Sequence, residues 1–166
     1  MAQATLVPLE EYLRTSYSPD CEYVDGVVLE RNVGDWLHSL VQSNLILVLR
    51  TKYPALKVVP ELRAKVAEGR YRLPDVAVLL TAPTSTVLEQ PPFIAIEILS
   101  ADDSMTRVTE KLAEYAAMGA PNIWLFDPRL RRMYTFHSNA LHEEEGDIVA
   151  TSDPRLELSR AEIFQE

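Results

Sequence analysis

The sequence predicts an α+β domain, with a mixed central sheet and helices packed against it. Three observations carry this. Segments 34–53 and 102–119 have helical spacing and helix end signals. Segments 71–80, 91–100 and 122–128 contain short apolar runs of the length expected for buried strands. The two kinds of element follow one another in the rough order α β β α β β β α β β, with a weak strand and a helical turn at the end, which suits that class. At 166 residues, with no low-complexity stretch or flexible linker, the whole of 1–166 reads as one domain.

Taken in order, residues 8–14 predict a short helix with Pro8 in its first turn. "CEYVDGVVLER", 21–31, predicts a hairpin turning at Asp25-Gly26. The helix over 34–53 has Asp35 as N-cap, Leu37, Val41, Leu45 and Val48 at helical spacing, and Pro54 beyond its end. Runs 56–67 and 71–80, with Gly69 between them, predict one long hairpin. After the loop 81–92 comes the strand of "PPFIAIEILS". The helix over 102–119 takes Asp103 or Ser104 as its cap and stops at Gly119, before Pro121. Strands follow at 122–128 and 132–137, then a weaker one near Ile148 and a turn of helix capped by Ser159.

Composition limits the function classes. No apolar run approaches the roughly 18 residues of a membrane span. The N-terminus has neither the basic nor the apolar region of a secretory signal. Cys21 is the only cysteine, which excludes an internal disulfide and fits a reducing cytoplasm. The net charge of −9 argues against nucleic acid, but the charge is unevenly spread. Residues 50–72 hold seven basic side chains and only two acids. Arg63, Lys65, Arg70 and Arg72 are therefore the expected contacts to a phosphate backbone.

The carboxylate of Glu97 lies inside an apolar run, where burial is costly unless the charge is matched. If 71–80 and 91–100 pair antiparallel with Asp75 opposite Glu97, then Ala77 falls opposite Ala95 and Leu79 opposite Phe93. All six share one face. Two carboxylates brought together either share a proton or hold a cation, and oxygen ligands suit a hard ion. Lys111 lies three residues after Val108 and four before Tyr115, so all three share one helix face. An ammonium on a buried stripe is unusual: either it snorkels with its head in water, or it reaches the carboxylates where the helix crosses that end of the sheet.

"LPDVAVLL", "PPFIAIEILS" and "EKLAEYAAMGAPNIWLFDP" together resemble the PD-(D/E)XK nuclease superfamily, with its restriction-endonuclease-like fold. The closer resemblance is to the Uma-type family of bacterial endonucleases. It rests on Pro74-Asp75, the Glu-x-x-Ser of 97–100, the helix lysine and the Trp-x-x-Asp-Pro of 124–128, and it covers most of the chain. What it implies is an endonuclease hydrolysing phosphodiester bonds of DNA with Mg2+ or Mn2+. Asp75, Glu97 and the backbone carbonyl of Ile98 would hold the metal. The superfamily's usual lysine position, two after the glutamate, is Leu99 here, and Lys111 would take its role. His38 and Glu22 also match family positions, the first as a contact to phosphate or metal site, the second as partner of a buried cation. The alternative is a nuclease-fold module that binds or regulates without cleaving. Strand-rich domains of this size often pair through exposed edges, so a homodimer is expected.

Overall fold

The buried runs 94–98 and 122–127 lie side by side and parallel, so a crossover must join them. The helix between them supplies it. The computed structural model describes residues 5–166. In chain order the elements are α1 (Leu9–Arg14), β1 (Glu22–Val24), β2 (Val27–Leu29), α2 (Trp36–Lys52), β3 (Lys57–Pro60), β4 (Ala64–Ala67), β5 (Arg70–Arg72) and β6 (Val76–Leu79). Then come β7 (Ile94–Ile98), α3 (Met105–Met118), β8 (Asn122–Asp127), β9 (Arg132–His137), β10 (Ala140–Glu143), β11 (Ile148–Ala150), β12 (Glu157–Ser159) and α4 (Arg160–Ile163).

Six strands form the central sheet in the order β10-β9-β8-β7-β6-β3. Only β7–β8 is parallel within it, so the sheet is mixed, as the sequence predicts. A four-stranded sheet, β2-β1-β5-β4, lies beside it, and β11 pairs with β12. Among the described residues no helix is long and apolar enough to cross a membrane.

The predicted single hairpin over 56–80 is corrected in one respect. Its two arms do pair, Val58 with Val78 and Lys65 with Tyr71, but the hairpin changes sheets midway. β3 and β6 belong to the central sheet, β4 and β5 to the other. Pro60 and Pro74 have no N–H to continue a ladder. Glu61 adopts a left-handed backbone (φ 52) and donates its N–H to the Pro74 carbonyl at 3.2 Å. The bend leaves Asp75 at the seam of the two sheets, one residue before β6.

The other ends follow local rules. Asp35 caps α2 by accepting from the His38 N–H at 2.9 Å. Gly119 closes α3 in the left-handed conformation (φ +105) that favours glycine. Ser159 and Glu162 form a reciprocal capping box on α4. Ser104 stands at the N-cap of α3 without a side-chain bond, and the Asp103 carboxylate instead accepts from the Ser100 N–H at 2.6 Å.

The central sheet buries both faces, each under one helix. Val76, Val78, Ile94, Ile96, Trp124 and Phe126 pack with Val41, Leu45 and Leu49 of α2. On the other face Ala95, Ile123 and Leu125 pack with Val108, Leu112 and Tyr115 of α3. The small side chain of Ala95 lets α3 come close to the sheet, which brings the polar side chains on its inner face near the end of β7. Ala95→Leu is therefore expected to destabilise the fold by about 1–3 kcal/mol through overpacking. Urea unfolding measures this, and an unchanged midpoint would contradict the close approach.

Candidate active site

β6 and β7 pair Val76 with Ile96, Ala77 with Ala95 and Val78 with Ile94, the register the sequence predicts. One step further along the same ladder, Asp75 comes level with Glu97. Both carboxylates are buried, at 3% and 6% exposure.

Each is met by specific donors. Asp75 Oδ1 accepts from the Arg31 guanidinium at 2.5 Å. Asp75 Oδ2 accepts from the Ile98 backbone N–H at 2.7 Å and lies 3.3 Å from His38 Nε2. Gln42 donates to the Asp75 carbonyl at 2.9 Å. Glu97 Oε2 accepts from Lys111 Nζ at 2.8 Å, and Oε1 from the Tyr115 hydroxyl at 2.7 Å. Lys111 Nζ also lies 2.9 Å from Glu22 Oε1. Glu22 in turn holds Arg72 at 3.0 Å, and Arg72 pairs with Glu114 at 2.6 Å. Charges of opposite sign thus alternate from the end of β7 into the second sheet.

The surroundings move the two carboxyls in opposite directions. Burial works to raise Asp75, but the His38 hydrogen bond and the charges of His38, Lys111 and Arg31 outweigh it and hold it below the usual range. Glu97 is pushed up to about 7, chiefly by burial, then by the charges of Asp75 and Glu22, against the pull of Lys111. Lys111 is held firmly protonated: burial acts against its charge, but Glu97, Glu22 and Asp75 outweigh it. His38 is raised, since Asp75 outweighs the loss of solvent. Two carboxyls with diverging proton affinities are the pattern expected of an acid–base or metal site.

The donor set suits a hard divalent ion. Asp75 Oδ1 and both Glu97 oxygens have one donor each, which leaves a second lone pair free. The Ile98 carbonyl faces the same strand edge as its N–H, toward Asp75. Among the described residues no three His, Cys, Asp or Glu side chains gather as a cage. Magnesium does not require one, because it commonly takes one or two carboxylates and completes its shell with water and phosphate. The adjoining cleft is about 240 Å³ and is lined by six carboxylates and four Arg or Lys side chains. The volume is small for an organic ligand.

The structure gathers Asp75, Glu97, Ile98, Lys111 and His38 at one place. The four cations expected to contact nucleic acid are each engaged by an acid of the chain itself. Arg63 is bound by Asp20 and lies over the Tyr12 ring at 4.5 Å. Lys65 pairs with Glu68 at 2.8 Å, and Arg70 with Asp25 and Glu114 at 2.6 Å each. Arg72 is 5% exposed. Apart from Glu68, their opposing acids lie outside the segment, so a count of charge within it overstates its basicity. The sequence did not single out Arg31, and it placed Tyr115 on the Lys111 face without a role at the site. The spacing of Tyr115, four residues after Lys111, was the available signal. Arg31 had none.

A family model, Uma2, described as "Putative restriction endonuclease", matches residues 9–165. Among solved structures, one described as "a putative nuclease belonging to DUF820 from Anabaena variabilis ATCC 29413" matches with a TM-score of 0.81 and 23% identity. The match covers 95% of this chain and 97% of that one, and at this identity the likeness is one of fold. No curated protein matches the chain.

Arg72 is buried between Glu22 and Glu114, so Arg72→Met leaves two carboxylates without their partner. The expected loss is about 3–5 kcal/mol, measured by denaturant unfolding. A loss below about 1 kcal/mol, the range of exposed pairs, would return Arg72 to the surface-contact reading.

Proposed function

The chain belongs to the Uma2 family of restriction-endonuclease-like proteins, and from that premise we propose a divalent-metal-dependent endonuclease that hydrolyses phosphodiester bonds of DNA. One observation carries the reading. Two buried carboxyls come level at the ends of adjacent strands, and one of them accepts a hydrogen bond at 2.8 Å from a buried ammonium. The family's description favours DNA over RNA as the substrate.

Asp75, Glu97 and the Ile98 carbonyl would hold the ion. When bound, Mg2+ or Mn2+ supplies positive charge to a phosphate and lowers the pKa of a water molecule. The protein's own groups do the rest. His38 and the Ile98 N–H fix the Asp75 carboxylate, and the Tyr115 hydroxyl fixes that of Glu97. Lys111 keeps its proton at neutral pH. Its ammonium can orient the attacking water or stabilise charge developing on the phosphate. Glu22, itself held by Arg72, anchors Lys111 from behind. This arrangement supplies an amine beside the glutamate from α3, where the superfamily usually takes it from the position of Leu99, just past β7.

A second reading, a nuclease fold that binds without cleaving, draws on Leu99 in the usual lysine position and on the two carboxylates that already engage Lys111. Plasmid nicking with Mg2+ separates the two. Asp75→Asn and Glu97→Gln are expected to abolish nicking, and Lys111→Met to lower its rate about 10²–10³-fold. Equal nicking by wild type and Lys111→Met would remove the lysine from the mechanism. No nicking by wild type would favour the second reading.

Metal binding requires Glu97 to ionise, and its raised pKa sets the sign of the pH dependence. Affinity for Mn2+ is expected to rise about tenfold per unit as pH increases toward 7, then level off. Calorimetry across pH 5.5–8.5 measures this. In Glu97→Gln the slope should vanish along with most of the affinity, and a wild-type affinity flat across pH 7 would contradict the assignment.

A further inference from the structure

The ion pairs of the basic segment raise a question: which cations beside the paired carboxylates could meet a phosphate? Those lining the cleft are Arg31, Arg72, Arg107 and Lys111. Arg72 and Lys111 are locked into the buried carboxylate network. Arg31 and Arg107 remain.

Arg31 is held differently from the other partners of Asp75. The Ile98 N–H belongs to β7 and His38 to α2, and both meet Oδ2. Arg31 alone meets Oδ1, and it lies in 30–35, the link between β2 and α2, which has no regular structure. Its second nitrogen already reaches outward to the half-exposed Glu61 at 3.3 Å. A divalent ion on Oδ1 sits about 2.1 Å from that oxygen. A guanidinium 2.5 Å from the same oxygen would then be in close repulsion with it. Arg31 is the Asp75 partner that has to give way, and of the three it alone lies outside helix and strand. Arg107, in the first turn of α3, is exposed and lines the same cleft, and among the described residues it forms no ion pair.

We propose that Arg31 is an exchangeable counterion: it neutralises Asp75 in the metal-free protein and, on metal binding, passes to a phosphate of the nucleic acid, which Arg107 grips with it. The inference rests on the metal-dependent nuclease reading and adds to it the residues that bind the substrate phosphate. A guanidinium fork matches paired phosphate oxygens, so a substrate phosphate offers the freed Arg31 a two-point acceptor in place of Asp75. Binding is then ordered, with metal before nucleic acid. The metal-free site is also closed to phosphate, because its mobile cation is already engaged.

Two measurements on the intact chain test this: calorimetric Mn2+ binding without nucleic acid, and anisotropy of a short fluorescent DNA duplex in Ca2+ across a salt series. Removing the competing cation should help the metal and hurt the duplex. Arg31→Met is expected to bind Mn2+ about fivefold or more tighter than wild type. Its duplex affinity should fall about tenfold, with a salt slope shallower by about one. Arg107→Met should lose duplex affinity with Mn2+ affinity unchanged. If Arg31→Met fails to melt cooperatively, Arg31→Lys replaces it, and should tighten Mn2+ to a lesser degree while weakening the duplex. Mn2+ affinity equal to or weaker than wild type in the folded variant, or an unchanged duplex affinity, overturns the proposal alone. If wild type binds no Mn2+, the nuclease reading falls and takes this inference with it.

Discussion

A surplus of negative charge at the end of two buried strands is the constraint the rest of this structure answers. Asp75 and Glu97 are placed together by a ladder whose register is set by packing, in a region with little solvent to screen them. Burying carboxylates without partners would cost several kcal/mol each, which is large beside the stability of a whole domain. The neighbouring elements respond by sending charge inward: Lys111 from α3, His38 from α2, Arg72 from β5 and Arg31 from the link before α2. An alternation of sign results, tying the central sheet to the smaller one.

Such networks seldom maximise stability, because apolar packing of equal volume often does better. Their value here is positional. Glu22, Arg72 and Glu114 touch neither Asp75 nor Glu97, yet they fix where the Lys111 ammonium lies. The same logic gives the paired carboxyls different tasks. Asp75, with its hydrogen bonds and cations, is held ionised, while at Glu97 burial outweighs the pull of Lys111 and raises the carboxyl toward neutrality. Two residues of the same chemistry become distinct through their surroundings alone.

Much of this was legible in the sequence, for identifiable reasons. The register of β6 on β7 could be read because matching alanines and large apolar residues make one alignment consistent. Lys111 and Tyr115 could be placed together because helical spacing is rigid. The change of sheet within the 56–80 hairpin could not be read, since it depends on a left-handed turn at Glu61 and on which strands accept each arm. The partners of the basic segment could not be read for a related reason: Asp20, Asp25 and Glu114, which hold Arg63 and Arg70, lie more than 40 residues away. Arg31 sits in an irregular link with no periodicity, so only the folded chain reveals its partner.

The central claim is that the paired carboxylates form a place for a divalent ion. Anomalous diffraction from a manganese-soaked crystal tests it most directly. The account predicts a single peak bridging Asp75 Oδ1 and the Glu97 carboxylate, beside the Ile98 carbonyl, with Arg31 turned away. A crystal in which Arg31 still grips Asp75 and no peak lies between the two carboxylates would contradict it.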